Sequence, residues 1–178
     1  PNIKKGMAIL KDNFDKTKEE KLNLIKDIEG IYIPALKKEG YKVKKVSSSL
    51  RECAYTPILT PKSFFANTFI IEVERGCPQA CGFCLTSYIN NPVRFYPYEE
   101  IINKIDEGLK YTNKIALLGA LICSHPRIDD ICSYIIRKTK DIANLEVTVS
   151  SLRADYVSDK TLEMLHKCGQ RTATIAVE

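Results

Sequence analysis

Thr68-Phe69-Ile70-Ile71-Glu72-Val73-Glu74-Arg75-Gly76-Cys77-Pro78-Gln79-Ala80-Cys81-Gly82-Phe83-Cys84 is a short apolar run that empties into a loop carrying three cysteines. The run from Thr68 to Val73 is too short for a helix and reads as a buried strand. Downstream, Pro97-Tyr98-Glu99-Glu100 opens a helix through about Tyr111, because proline suits a first turn and acids face the positive end of the helix dipole. Ile101, Ile102, Ile105 and Leu109 form its apolar face. Lys114 to Gly119 reads as a second strand, and Ile128 to Lys140 as a second helix with Ile131, Ile135 and Ile136 inward. Leu145 to Val149 is a third strand, Ser158 to Cys168 a third helix ended by Gly169, and Thr172 to Val177 a fourth strand. Strands alternating with helices in this way predict an α/β fold with a parallel sheet, either doubly wound or part of a (β/α) barrel. Active sites in both lie at the carboxyl ends of the strands, where the cysteine loop falls.

Upstream, the pattern is weaker. Residues 1–30 read as one helical pattern, with Leu22, Leu24, Ile25 and Ile28 on a stripe and Gly30 as its stop. Ile31-Tyr32-Ile33-Pro34 is a short extended piece, and Tyr41 to Ser47 alternates as a strand does. From Ser48 to Asn67 the periodicity fades into a connecting segment. The expected division is a linker or pre-barrel segment over 1–66 and the α/β repeat over 67–178. The opening on Pro1 and the stop at Glu178, directly after an apolar run, read as a piece of a longer polypeptide.

Composition narrows the class of protein. A hydrophobic share of 44% with 28% charged residues over 178 residues is ordinary for a globular chain with a real core. The net charge of +5 comes from lysines concentrated in the first 45 residues, interleaved with acids as on solvated helix faces. Nucleic-acid binding would want a single-sign patch with aromatic platforms, and none is evident. No stretch approaches the roughly 20 apolar residues that span a bilayer, and no signal peptide opens the chain. Seven cysteines are an odd number, with three packed into one short loop, which argues for metal in a reducing cytoplasm over a disulfide framework.

Cys77, Cys81 and Cys84 are spaced to wrap a cubane iron–sulfur cluster and hold three of its irons. With no fourth cysteine in the loop, one iron is left as an open Lewis-acid position. Gly76 and Gly82 suit a loop that turns tightly around such a cluster. Zinc is the competing metal, with Cys123, Cys132 or Cys168 supplying a fourth tetrahedral ligand. A fully ligated electron-transfer cluster using a distant cysteine is another. Otherwise Cys53, Cys123, Cys132 and Cys168 read as small buried apolar residues.

The CxxxCxxC spacing after a first strand, with Phe83 just before the last cysteine, resembles the radical S-adenosylmethionine (radical SAM) superfamily. The resemblance covers residues 67–178 and implies an enzyme built on the first four parallel strands of a partial (β/α) barrel. It also implies a 4Fe-4S cluster on Cys77, Cys81 and Cys84, and S-adenosylmethionine chelating the open iron. One electron then cleaves the sulfonium to methionine and a 5′-deoxyadenosyl radical. By the same resemblance Phe83 packs beside the adenine, and the Gly119 segment meets the methionine amino group, here through backbone since Leu118-Gly119-Ala120-Leu121 lacks an acid. Ser151 and Arg153 would contact ribose and the methionine carboxylate, and Glu178 the ribose hydroxyls. His125 and His166 are expected to be bystanders. Ile31 to Pro34 and Pro57-Ile58-Leu59-Thr60-Pro61 resemble the linker that follows a cobalamin-binding domain, implying cobalamin in a domain upstream of this chain and methyl transfer or related radical chemistry. An electron donor such as ferredoxin or flavodoxin is the implied partner, and the substrate is not named by these residues. The alternative class is an iron–sulfur electron-transfer or structural metal-binding module without radical catalysis.

Overall fold

A computed structural model describes residues 2–36, 40–150 and 152–176, and the chain divides into two compact units, Pro1–Ser49 and Leu50–Glu178. In the first, α1 (Asn2–Asp12) and α2 (Lys18–Ile25) replace the single helix expected over residues 1–30. Thr17 is the cause of the break. Its side chain accepts the Glu20 N–H at 3.4 Å while the Glu20 carboxylate accepts the Thr17 N–H at 2.9 Å, a reciprocal cap that starts a new helix. α2 stops at Ile25, well before Gly30. Ile25, Ile28 and Ile33 form a small core with Ile9, Leu10, Leu22 and Ile31 around it. The alternating stretch from Tyr41 to Ser47 forms no strand, and Tyr41, Val43 and Val46 are exposed.

The second unit carries the remaining elements. In chain order these are β1 (Phe69–Glu72), β2 (Glu74–Arg75), α3 (Thr86–Ile89), β3 (Arg94–Phe95), α4 (Tyr98–Gly108), β4 (Lys114–Leu118), α5 (Ile128–Lys138), β5 (Glu146–Val149), β6 (Leu152–Arg153), α6 (Asp159–Lys167) and β7 (Ile175–Ala176). β1, β4 and β5 make a parallel sheet in that order. Register aligns Phe69 with Ile115 and Ile115 with Val147, and Ile71 with Leu117. All five are buried in one core with Ile101 and Ile105 of α4, Ile131, Cys132 and Ile135 of α5, and Met164 and Leu165 of α6. The three long helices therefore cover one face of the sheet. The alternate row, Ile70, Ala116 and Thr148, lines an open cavity of about 530 Å³ on the other face, beside Phe64 and Phe65.

The expected fourth strand differs from its reading. Within the described residues it is only Ile175–Ala176, and it pairs in parallel with β6 rather than with β5. Residues 50–66 are more than a connector, because Tyr55 bridges Ile71 in antiparallel fashion, the Thr56 N–H donates to Ile70 O and the Glu72 N–H donates to Ala54 O. That segment covers the edge of β1 and belongs to the second unit. Among the described residues no helix is long and apolar enough to cross a membrane.

Candidate metal centre

β1 continues into β2, and β2 pairs antiparallel with β3, so the cysteine loop is an excursion closed at its base by a two-residue ladder. Glu72 braces that base. Its carboxylate accepts from Arg75 Nε at 2.9 Å and from the Tyr96 hydroxyl at 2.8 Å. Burial, with this carboxylate beside it, pushes the Tyr96 phenol up to about 12, so it stays a donor. Gly76 enters the loop at φ +100, and a Cβ there would stand 2.6 Å from Asn90 O, so only glycine lets the two ends of the loop close. Gly82, expected to serve the same purpose, has open space around it. Two tyrosines tether the loop between its cysteines: the Tyr88 hydroxyl donates to Ala80 O at 2.9 Å, and Gln79 Nε2 donates to the Tyr156 hydroxyl at 2.8 Å.

The seven cysteines are all thiols and fall into two populations. Cys77, Cys81 and Cys84 are half-buried on the loop, with the Cys84 N–H turned onto Cys81 O at 3.1 Å. Cys53, Cys123, Cys132 and Cys168 are buried in the core. Burial pushes Cys53 and Cys132 up to about 12 and Cys168 to about 11, and also raises Cys123. Thiols held protonated in this way are poor ligands, since the thiolate is the metal-binding form. Among the described residues no three His, Cys, Asp or Glu side chains converge closely enough to hold a metal ion. The fit to an iron–sulfur cluster therefore rests on the donor set: three soft, part-exposed sulfurs on one tethered loop at the carboxyl end of β1.

The neighbouring wall is the turn after β4. Gly119 O accepts the Ser150 hydroxyl at 2.8 Å, which links this turn to the end of β5. Beneath it lies Glu74, a residue that inspection of the sequence does not single out, at 1% exposure. Its carboxylate accepts the Leu121 N–H and, at 3.1 Å, the Ser124 hydroxyl. Burial raises its pKa, and those two hydrogen bonds oppose the rise. A Cβ on Gly119 would stand 2.6 Å from Glu74 Cγ, which is why glycine is needed at that position.

The other expected site residues are distributed around this core. Phe83 is 79% exposed on the loop, in company with exposed Leu85, Tyr88 and Ile89. Arg153 lies in β6 with its guanidinium forked onto Asp155, Nε to Oδ1 at 3.0 Å and Nη2 to Oδ2 at 2.9 Å. Tyr156, the tether of Gln79, donates its N–H to Arg153 O at 3.1 Å, so loop and β6 are connected through one residue. Ser151 and Glu178 lie outside the described residues. His125 is buried against Phe95 and Tyr96 O, whereas His166 sits exposed in α6.

Residues 71–178 match the family model described as the Radical SAM superfamily. Over 157 residues the chain is 32% identical to a protein of Methanocaldococcus jannaschii named "Uncharacterized protein MJ0966", an alignment covering 85% of this chain. The same alignment covers 33% of that protein, so the chain spans about a third of the length of this relative.

Proposed function

The chain belongs to the radical SAM superfamily, and we propose that Cys77, Cys81 and Cys84 are the thiolate ligands of a 4Fe-4S cluster that binds S-adenosylmethionine. The observation that carries the reading is the division of the thiols: only these three are part-exposed, and all three sit on one loop at the carboxyl end of β1. When bound, the cluster and S-adenosylmethionine together supply one-electron cleavage of the sulfonium, releasing a 5′-deoxyadenosyl radical for hydrogen abstraction. The chain's own part is to hold and orient. Tyr88 and Tyr156 fix the loop, Phe83 offers an exposed aromatic face for adenine, and the Gly119 turn with Ser150 forms the adjacent wall. Arg153 would receive the methionine carboxylate in exchange with Asp155. Ser151 and Glu178 complete the cofactor set in this reading.

Parallel strands adjacent in sequence order, with α4, α5 and α6 of the second unit on one sheet face, support the opening strands of a barrel. Cobalamin-dependent methyl transfer, through a domain outside this chain, rests on the resemblance of residues 31–34 and 57–61 to a known linker. A ferredoxin or flavodoxin as electron donor, and a cytoplasmic setting, complete the proposal.

The test is electron paramagnetic resonance of the anaerobically reconstituted, reduced protein. A four-iron signal that changes on adding S-adenosylmethionine is expected. A signal indifferent to it leaves an electron-transfer or structural cluster, and a colourless protein with stoichiometric zinc defeats the iron reading. Cys81→Ala is expected to abolish cluster assembly, read as iron and acid-labile sulfide per chain; a variant that retains four irons removes Cys81 from the ligand set.

A further inference from the structure

Glu74 links two walls of the site that are remote in sequence. It lies in β2, at the base of the cysteine loop, and both donors to its carboxylate belong to the turn after β4. That turn is held from its other side by Ser150 on Gly119 O. A buried carboxyl is costly compared with an apolar side chain of similar volume. A leucine would fill the space, but it could not accept the Leu121 N–H or the Ser124 hydroxyl, and a buried amide left without a partner is itself expensive.

We propose that Glu74 is a positioning residue, which locks the Gly119–Ser124 turn to the base of the cysteine loop so that both walls stand in place before a ligand arrives. It acts through the turn rather than by touching the ligand. The inference rests on the cofactor-binding reading above for its ligand, S-adenosylmethionine, but its structural half does not.

Two variants separate position from charge. In Glu74→Gln the amide oxygen still accepts the Leu121 N–H, and the amide nitrogen can donate to the Ser124 oxygen. In Glu74→Ala both donors lose their partner. Three readouts apply to each reconstituted protein: iron and sulfide content, hydrogen exchange of the Leu121 amide without ligand, and affinity for S-adenosylmethionine by equilibrium dialysis. Glu74→Ala is expected to keep its cluster, to exchange the Leu121 amide at least about tenfold faster, and to bind the cofactor about tenfold more weakly. Glu74→Gln is expected to restore both to within about twofold of the parent protein.

Wild-type exchange and affinity in Glu74→Ala would overturn the proposal, and so would a Glu74→Gln protein that binds as poorly as Glu74→Ala. If Glu74→Ala fails to fold, Ser124→Ala removes one of the two bonds alone. Faster Leu121 exchange with a smaller loss of affinity then supports the proposal, and no change in either refutes it. A parent protein that holds its cluster but binds no S-adenosylmethionine defeats the functional reading instead, and Leu121 exchange still decides the positioning role.

Discussion

His125 stands edge-on to Phe95, with ring centroids 5.3 Å apart, its Nδ1 accepting the Arg127 N–H at 3.1 Å. Nε2 therefore carries the proton that Tyr96 O receives at 3.0 Å, and the neutral tautomer is fixed. Burial lowers this pKa below the ordinary 6.5. The unfolded chain takes up a proton at the ordinary value while the folded chain resists it. The stability from His125 is then complete above about 6.5 and is lost as pH falls through the folded value. Melting temperature is expected to fall more steeply between about pH 7 and about pH 5 in the parent than in His125→Gln; equal slopes would remove His125 from the acid response. The cysteines give a second expectation at this scale. Brief alkylation of the native, cluster-free protein should mark Cys77, Cys81 and Cys84, while Cys53 and Cys132, with pKa about 12, react only on unfolding. Peptide mapping reads the order directly. That division was legible in the sequence, because the three loop cysteines are neighbours in it. Glu74 was not legible, since Gly119, Leu121 and Ser124 reach it from another segment, and an acid after Val73 looks like a strand exit.

The helices of the second unit follow their sequence pattern closely. α4, α5 and α6 begin and end within a few residues of their expected bounds, because their apolar stripes are long enough to set the period. α5 presents Ile128, Ile131, Cys132 and Ile135 to the sheet, and Ile131 has no exposure at all. Ile131→Ala is expected to cost about 2–5 kcal/mol in denaturant unfolding, against little for Leu162→Ala, which lies 47% exposed in α6. Comparable losses at both positions would contradict the packing described. Reading failed where the signal was short or lacked a partner. Thr17-Lys18-Glu19-Glu20 spells a capping box that divides residues 1–30 into two helices, a local signal that outweighs the broader stripe. The stretch from Tyr41 to Ser47 alternates correctly, but among the described residues no ladder forms beside it, and a strand is defined by its neighbour. Among the described residues β7 pairs with Leu152 and Arg153 of β6, a partner the sequence pattern does not indicate.

At the scale of the molecule, each unit has a separate apolar core, one around Ile25, Ile28 and Ile33, the other between the sheet and its helices. Residues 50–178 are accordingly expected to unfold in a single cooperative transition when produced without residues 1–49, with far-ultraviolet dichroism following the melt. A broad, non-cooperative melt would mean that the second core is incomplete alone. The larger unit was legible because its strands and helices alternate at regular intervals. Its edge was not, since residues 50–66 carry no periodic pattern and pair with β1 through only a few backbone bonds. The sheet also separates two kinds of constraint. Phe69, Ile71, Ile115, Leu117 and Val147 are committed to the helices, whereas Ile70, Ala116 and Thr148 face the open cavity on the same strands. Substitution in the second row can reshape that cavity without excavating the first. Keeping the core and reshaping the cavity thus fall to alternate residues of one ribbon.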